Sequence, residues 1–96
     1  MKTKIFKVAE LSTAHIKQRT DVFLRSIANK SNDYSLAVNA LDYGYLIGTD
    51  VEHLVNVQGI PKELLNILRI ANQEDYSWVI FDRDTDLCEE LPTWEW

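Results

Sequence analysis

Asp82, Asp84 and Asp86 stand at alternate positions directly after the apolar run Trp78-Val79-Ile80-Phe81. Such a run reads as a buried strand. A carboxylate at the end of a strand can meet a phosphate and a hard cation together. These residues define one functional alternative: a small metal-assisted hydrolase built on Asp82, Asp84 and Asp86 with help from His15. It requires those carboxylates to converge on one cavity.

Val79-Ile80-Phe81-Asp82-Arg83-Asp84-Thr85 resembles the opening of the haloacid-dehalogenase-like phosphotransferases; the resemblance implies the first aspartate as nucleophile and the second as acid/base, with magnesium alongside. In that family a large doubly wound domain follows the motif and brings a lysine and further metal-binding aspartates, whereas only eleven residues follow Thr85 here. Asp82-Arg83-Asp84-Thr85-Asp86 also resembles the start of a calcium loop. The glycine needed at the sixth position is Leu87, and the bidentate glutamate of the twelfth is Thr93. Aspartates after a strand equally cap the turn and solvate the chain. His15 and His53 fit no zinc-ligand spacing, and no glycine-rich phosphate loop is present. His15, in a first helical turn, reads as a capping or packing residue. No catalytic residue and no cofactor is assigned from sequence; Asp82, Asp84 and Asp86 remain weak metal candidates.

Charge is polarised along the 96 residues, whose net charge is −5. Residues 1–30 carry seven Lys and Arg against Glu10 and Asp21, and residues 31–81 carry Lys62 and Arg69 against seven acids. Residues 82–96 carry Arg83 against Asp82, Asp84, Asp86, Glu89, Glu90 and Glu95. An acidic segment of this kind opposes nucleic acid and attracts basic partners. A hydrophobic fraction of 46% and a charged fraction of 26% describe a globular chain, read as a single α+β domain over 1–96. The lone Cys88 excludes an intrachain disulfide and, with no apolar segment after the basic start, suggests the cytoplasm and no membrane association.

The elements that position these residues follow from periodicity. Lys4–Leu11 reads as a strand, with Ser12 or Thr13 capping a helix from Ala14 to about Asn29. Thr20 sits on that helix's apolar face; Lys17, Arg19 and Arg25 lie toward water. Tyr34–Ala40 and Tyr43–Thr49 read as a hairpin, Asp50–Gln58 as one helical turn or an irregular excursion, and Pro61 to about Asn72 as a second helix. A buried strand over Ser77–Phe81 precedes an acidic stretch containing Pro92. The order β-α-β-β-α-β predicts two helices on one face of a mostly antiparallel four-stranded sheet, the ferredoxin-like split βαβ arrangement, with an acidic C-terminal tail.

RNA-recognition domains share that topology, so Phe6, Tyr43 and Tyr45 supply a second alternative, an RNA-binding sheet. The RNA-binding signature is absent and the acidic balance opposes it. Trp94 and Trp96 are costly to leave in water; they either fold back onto the body or form a docking patch.

Ser12-Thr13-Ala14-His15-Ile16, the Asp42-Tyr43-Gly44-Tyr45 hairpin and the ending Leu91-Pro92-Thr93-Trp94-Glu95-Trp96 resemble a family of short bacterial proteins encoded on plasmids, prophages and integrative elements, a family catalogued as a domain of unknown function. The chain departs from it in lacking a glycine near Thr85 and in a longer Asp50–Gly59 stretch. What the resemblance implies is a mobile-element accessory protein, with no catalytic residues carried over. The leading expectation is a non-enzymatic module that binds a protein with a basic surface, for example a host nucleic-acid-handling or defence protein. The partner-binding candidates are Asp82, Asp84, Asp86, Glu89, Glu90, Trp94, Glu95 and Trp96.

Overall fold

The computed structural model describes residues 1–54 and 56–96; Val55, inside the excursion expected over Asp50–Gln58, lies outside the described residues. The elements are β1 (Lys7–Ser12), α1 (Gln18–Ile27), β2 (Val38–Leu41), β3 (Gly44–Gly48), α2 (Lys62–Gln73) and β4 (Tyr76–Asp82), with a 3₁₀ turn over Thr13–His15 between β1 and α1. The expected α+β order is the observed one. Strand β1 starts at Lys7 rather than Lys4, leaving Ile5 and Phe6 exposed. The first helix is split. Ile16, buried and extended (φ −121°, ψ 153°), separates the 3₁₀ turn from α1. Strand β2 begins at Val38 rather than Tyr34, because the Asn32 side chain ties the preceding loop through Tyr34 N–H, Leu36 N–H and the Leu36 carbonyl.

The four-stranded sheet runs β1-β4-β3-β2, with β1 parallel to β4 and the other two pairs antiparallel. This corrects the ferredoxin-like expectation, in which every neighbouring pair is antiparallel. Two physical reasons account for the difference. First, Trp78-Val79-Ile80-Phe81 is apolar on both faces, which suits an interior strand, whereas β1 carries the charged Lys7 and Glu10 among its apolar residues and suits an edge. Second, the chain between β3 and α2 makes a return journey. Asn72 near the end of α2 donates to Thr49 Oγ1 (3.3 Å), and Thr49 Oγ1 donates to the Tyr76 carbonyl at the start of β4 (2.6 Å). The start of α2 instead meets the start of α1. The stretch from Asp50 to Pro61 therefore carries the chain from one end of the sheet to the other, burying Val51 and Ile60 on its way, and reverses β4 relative to a split βαβ unit. Asp75, at φ 66°, makes the tight turn into β4.

Both helices cover one sheet face. Leu24, Leu64 and Leu68 meet Ile47, Val79 and Phe81, all fully buried. On the other face Val8, Leu46, Trp78 and Ile80 remain partly exposed. Gly44 lies so close to β4 that a Cβ there would sit 1.6 Å from the Phe81 carbonyl oxygen. Gly44→Ala must separate β3 from β4 and is expected to cost at least about 3 kcal/mol, in the range of severe core disruption; chemical denaturation reads the loss, and a near-neutral value would contradict the register.

Helix α1 has no side-chain cap of its own, since its N-cap is Lys17. Glu63, in the first turn of α2, serves instead. Its Oε2 accepts the Lys17 N–H (2.9 Å) and the Thr20 hydroxyl. Burial pushes the Glu63 carboxyl up, but donation from Thr20, from the Lys17 N–H and from its own backbone N–H, with the Lys17 charge, together hold the group below its ordinary value. A carboxylate depressed in the folded state stabilises the fold above its unfolded value, and that contribution is lost as pH falls through the folded one. Glu63→Gln is expected to cost about 1 kcal/mol at neutral pH and to make stability less sensitive to acid below about pH 5. Urea midpoints of both proteins across pH 3–7 test this; parallel profiles would refute the shared cap.

Candidate functional site

Residues 82–96 do not project. Asp82 Oδ1 accepts the Asp84 N–H (2.8 Å), forming the aspartate turn expected after a strand. The chain then folds back against the 3₁₀ turn rather than across the sheet. His15, fully buried, bridges two points of it. Its Nδ1 lies 2.9 Å from the Pro92 carbonyl oxygen and its Nε2 2.9 Å from the Cys88 amide nitrogen. A carbonyl can only accept and an amide N–H can only donate, so Nδ1 carries the proton and Nε2 the lone pair. Trp94 N–H donates to the Ala14 carbonyl (2.9 Å), Trp96 Nε1–H donates to the Ile16 carbonyl (3.0 Å), and Lys17 Nζ lies 5.3 Å from the Trp94 ring centre. The two strings that carry the family resemblance, Ser12–Ile16 and Leu91–Trp96, are thus the two that touch.

Asp84, Asp86, Glu89, Glu90 and Glu95 are exposed along this fastened segment, Asp82 and Trp94 are half-buried, and Trp96 is 52% exposed. Among the described residues no ion pair involves any of these carboxylates; the pairs formed are Arg25–Asp21 and Arg69–Glu52, and the His53 ring lies 3.8 Å from Asp50. Asp82, Asp84 and Asp86 do not gather about a common centre, and among the described residues no three His, Cys, Asp or Glu side chains are grouped to hold a metal ion. His15, with both ring nitrogens engaged, is not available to them. The convergence required by a metal-assisted hydrolase is therefore not found. The aromatic trio of the RNA alternative is also dispersed. Phe6 precedes β1, Tyr43 lies in the β2–β3 turn, and Tyr45 is buried on the helix side.

Sequence reasoning missed a second constellation. Asp21, on the buried side of α1, accepts the Tyr45 hydroxyl at Oδ1 (2.8 Å) and pairs through Oδ2 with Arg25 (2.5 Å). Burial, reinforced by donation to Asp21, pushes the Tyr45 phenol up, so it keeps its proton and goes on donating. The i,i+4 spacing of Asp21 and Arg25 was visible in the sequence; the reach from Tyr45 was not. This network floors an open cleft of about 500 Å³ between the end of α1, the β2–β3 turn and Trp96.

The fold is a small α+β domain with a mixed four-stranded sheet, and its distinctive feature is a C-terminal segment clasped to a 3₁₀ turn. Residues 8–96 match the family of unknown function DUF5983, in its C-terminal domain, and the chain belongs to that family. No curated protein and no solved structure matches it. No helix among the described residues is long and apolar enough to cross a membrane.

His15→Ala removes both bridging bonds and leaves a cavity, and is expected to destabilise the fold by about 2–4 kcal/mol. Cys88, the only thiol, reports locally. Its labelling by a thiol reagent under native conditions is expected to accelerate at least about tenfold, as a loss near 1.4 kcal/mol of local protection requires. Unchanged labelling would show that the segment is held by other contacts.

Proposed function

We propose that this chain is a non-enzymatic protein-binding module that presents the carboxylates of residues 82–95 to a partner with a basic surface. The observation that carries this reading is that Asp84, Asp86, Glu89, Glu90 and Glu95 are exposed and without ion-pair partners among the described residues, on a segment fastened to the body at His15, Ala14 and Ile16. A fastened acidic ribbon loses less conformational freedom on binding than a loose tail would. It also steers a positively charged partner toward one face. The Ser12–Ile16 and Leu91–Trp96 strings, through their resemblance to proteins of plasmids, prophages and integrative elements, support reading the chain as an accessory protein of such an element. A host protein that handles nucleic acid or serves in defence has the basic surface this ribbon complements.

The test compares the intact chain with a variant carrying Asp84→Asn, Asp86→Asn, Glu89→Gln and Glu90→Gln, both immobilised and exposed to bacterial lysate. The expected result is a discrete protein retained by the native chain at about 0.05 M salt, released near 0.3 M as screening shortens the reach of the charges, and not retained by the variant. Equal retention by both, or retention indifferent to salt, would sink the proposal.

A further inference from the structure

We infer that the cleft of about 500 Å³ between α1, the β2–β3 turn and Trp96 binds a small organic anion built on a flat ring, of the class of nucleoside monophosphates. This site is separate from the acidic ribbon and does not depend on that reading. Its volume lies within the roughly 300–1,000 Å³ of small-ligand sites, and its walls carry two guanidinium groups that the fold holds in place. Arg25 is pinned by Asp21, which is pinned in turn by the buried Tyr45 hydroxyl. Even so, the Arg25 side chain is 73% exposed and lines the cleft. Arg83 lies over the Tyr43 ring, its Cζ 5.0 Å from the ring centre, and has no ion-pair partner among the described residues. Guanidinium groups fixed by stacking or by a buried carboxylate are suited to an oxyanion, because their forked donors are oriented before the ligand arrives.

The flat part of the ligand follows from the aromatic walls. Trp96 is held by its own indole N–H on the Ile16 carbonyl, so an exposed ring is fixed at the cleft's edge. Tyr43, 54% exposed, adds a second ring to the lining, one face of it covered by Arg83. Exposed aromatic rings of this kind stack a flat base whatever its identity, because every base has a π-face. Among the described residues, the acid of the cleft without an ion-pair partner is Asp42. A lone carboxylate opposes a highly charged ligand but accepts from hydroxyl or amino groups. A single phosphate carried on a hydroxylated, ring-bearing body satisfies both conditions, and inorganic phosphate alone satisfies only one.

Calorimetric and ¹H–¹⁵N NMR titrations of the full chain with adenosine monophosphate, adenosine and inorganic phosphate, each separately, test the assignment. Adenosine monophosphate is expected to bind at sub-millimolar concentration and to move the Trp96 indole N–H resonance. Adenosine and phosphate are each expected to bind at least about tenfold more weakly, the change that corresponds to about 1.4 kcal/mol. Arg83→Gln, at an exposed position, is expected to keep the melting temperature and weaken binding at least about tenfold, as loss of a charge-assisted hydrogen bond requires. Absence of heat and of shifts with adenosine monophosphate at 10 mM (roughly an affinity under 3 kcal/mol), equal binding of adenosine, of phosphate or by the Arg83→Gln chain, or shifts confined to residues outside the cleft would each overturn it.

Discussion

The buried imidazole of His15 is the constraint on which the course of the C-terminal segment depends. A neutral histidine with one donor and one acceptor joins a carbonyl at Pro92 to an amide at Cys88, and both ring nitrogens are satisfied where no water reaches them. Leaving either group unpaired in such a place costs more than the bond itself contributes. The ring therefore has one tautomer, and the segment has one position. From that position follow the display of carboxylates along 84–95 and the placement of Trp96 at the edge of the cleft. The basic N-terminal half and the acidic C-terminal segment also meet here, with Lys17 against the face of Trp94.

Other buried polar groups work in the same manner. Ser12, Thr20, Asp21 and Thr49 are buried, and no buried side-chain nitrogen or oxygen among the described residues lacks a partner. Each joins elements or turns that hydrophobic contact alone would leave free to slide. Thr20 and Glu63 fix the start of α1 against the start of α2. Thr49 fixes the end of β3 against the end of α2 and the start of β4. Asp21 fixes α1 against β3. Apolar burial supplies the driving force, and these directional bonds select one arrangement among the many that would bury similar area. The exposed Asn29 adds a further tie. It follows the extended Ala28 that ends α1 and is itself left-handed (φ 60°), while its backbone N–H donates to the Val38 carbonyl and its side-chain oxygen accepts from the Ala40 N–H. The turn that closes the helix thereby sets the position of β2 and with it one wall of the cleft.

What the sequence alone determined is local. Alternating and helical periodicity, Pro61, Gly59 and the polar run 29–33 settled the number, type and order of the elements, because each depends on neighbours within a few residues. The acidity of 82–96 and the tendency of Asp82 to cap a turn were equally local. So was the apolar character of Trp78–Phe81, which favoured a covered strand. Tertiary structure decided everything that joins distant residues: the parallel β1–β4 pair, the reversal of β4 by the 50–61 excursion, the break in the first helix at Ile16, the Glu63 cap, the His15 clasp and the Asp21–Tyr45–Arg25 network. Apart from the Asp21–Arg25 pair, four residues apart, the side-chain contacts among these run from a separation of 24 for Tyr45 and Asp21 to 77 for His15 and Pro92. Periodicity carries no record of such pairings. They arise only when buried donors and acceptors must find one another in a closed interior, and that interior exists only once the sheet and helices have assembled.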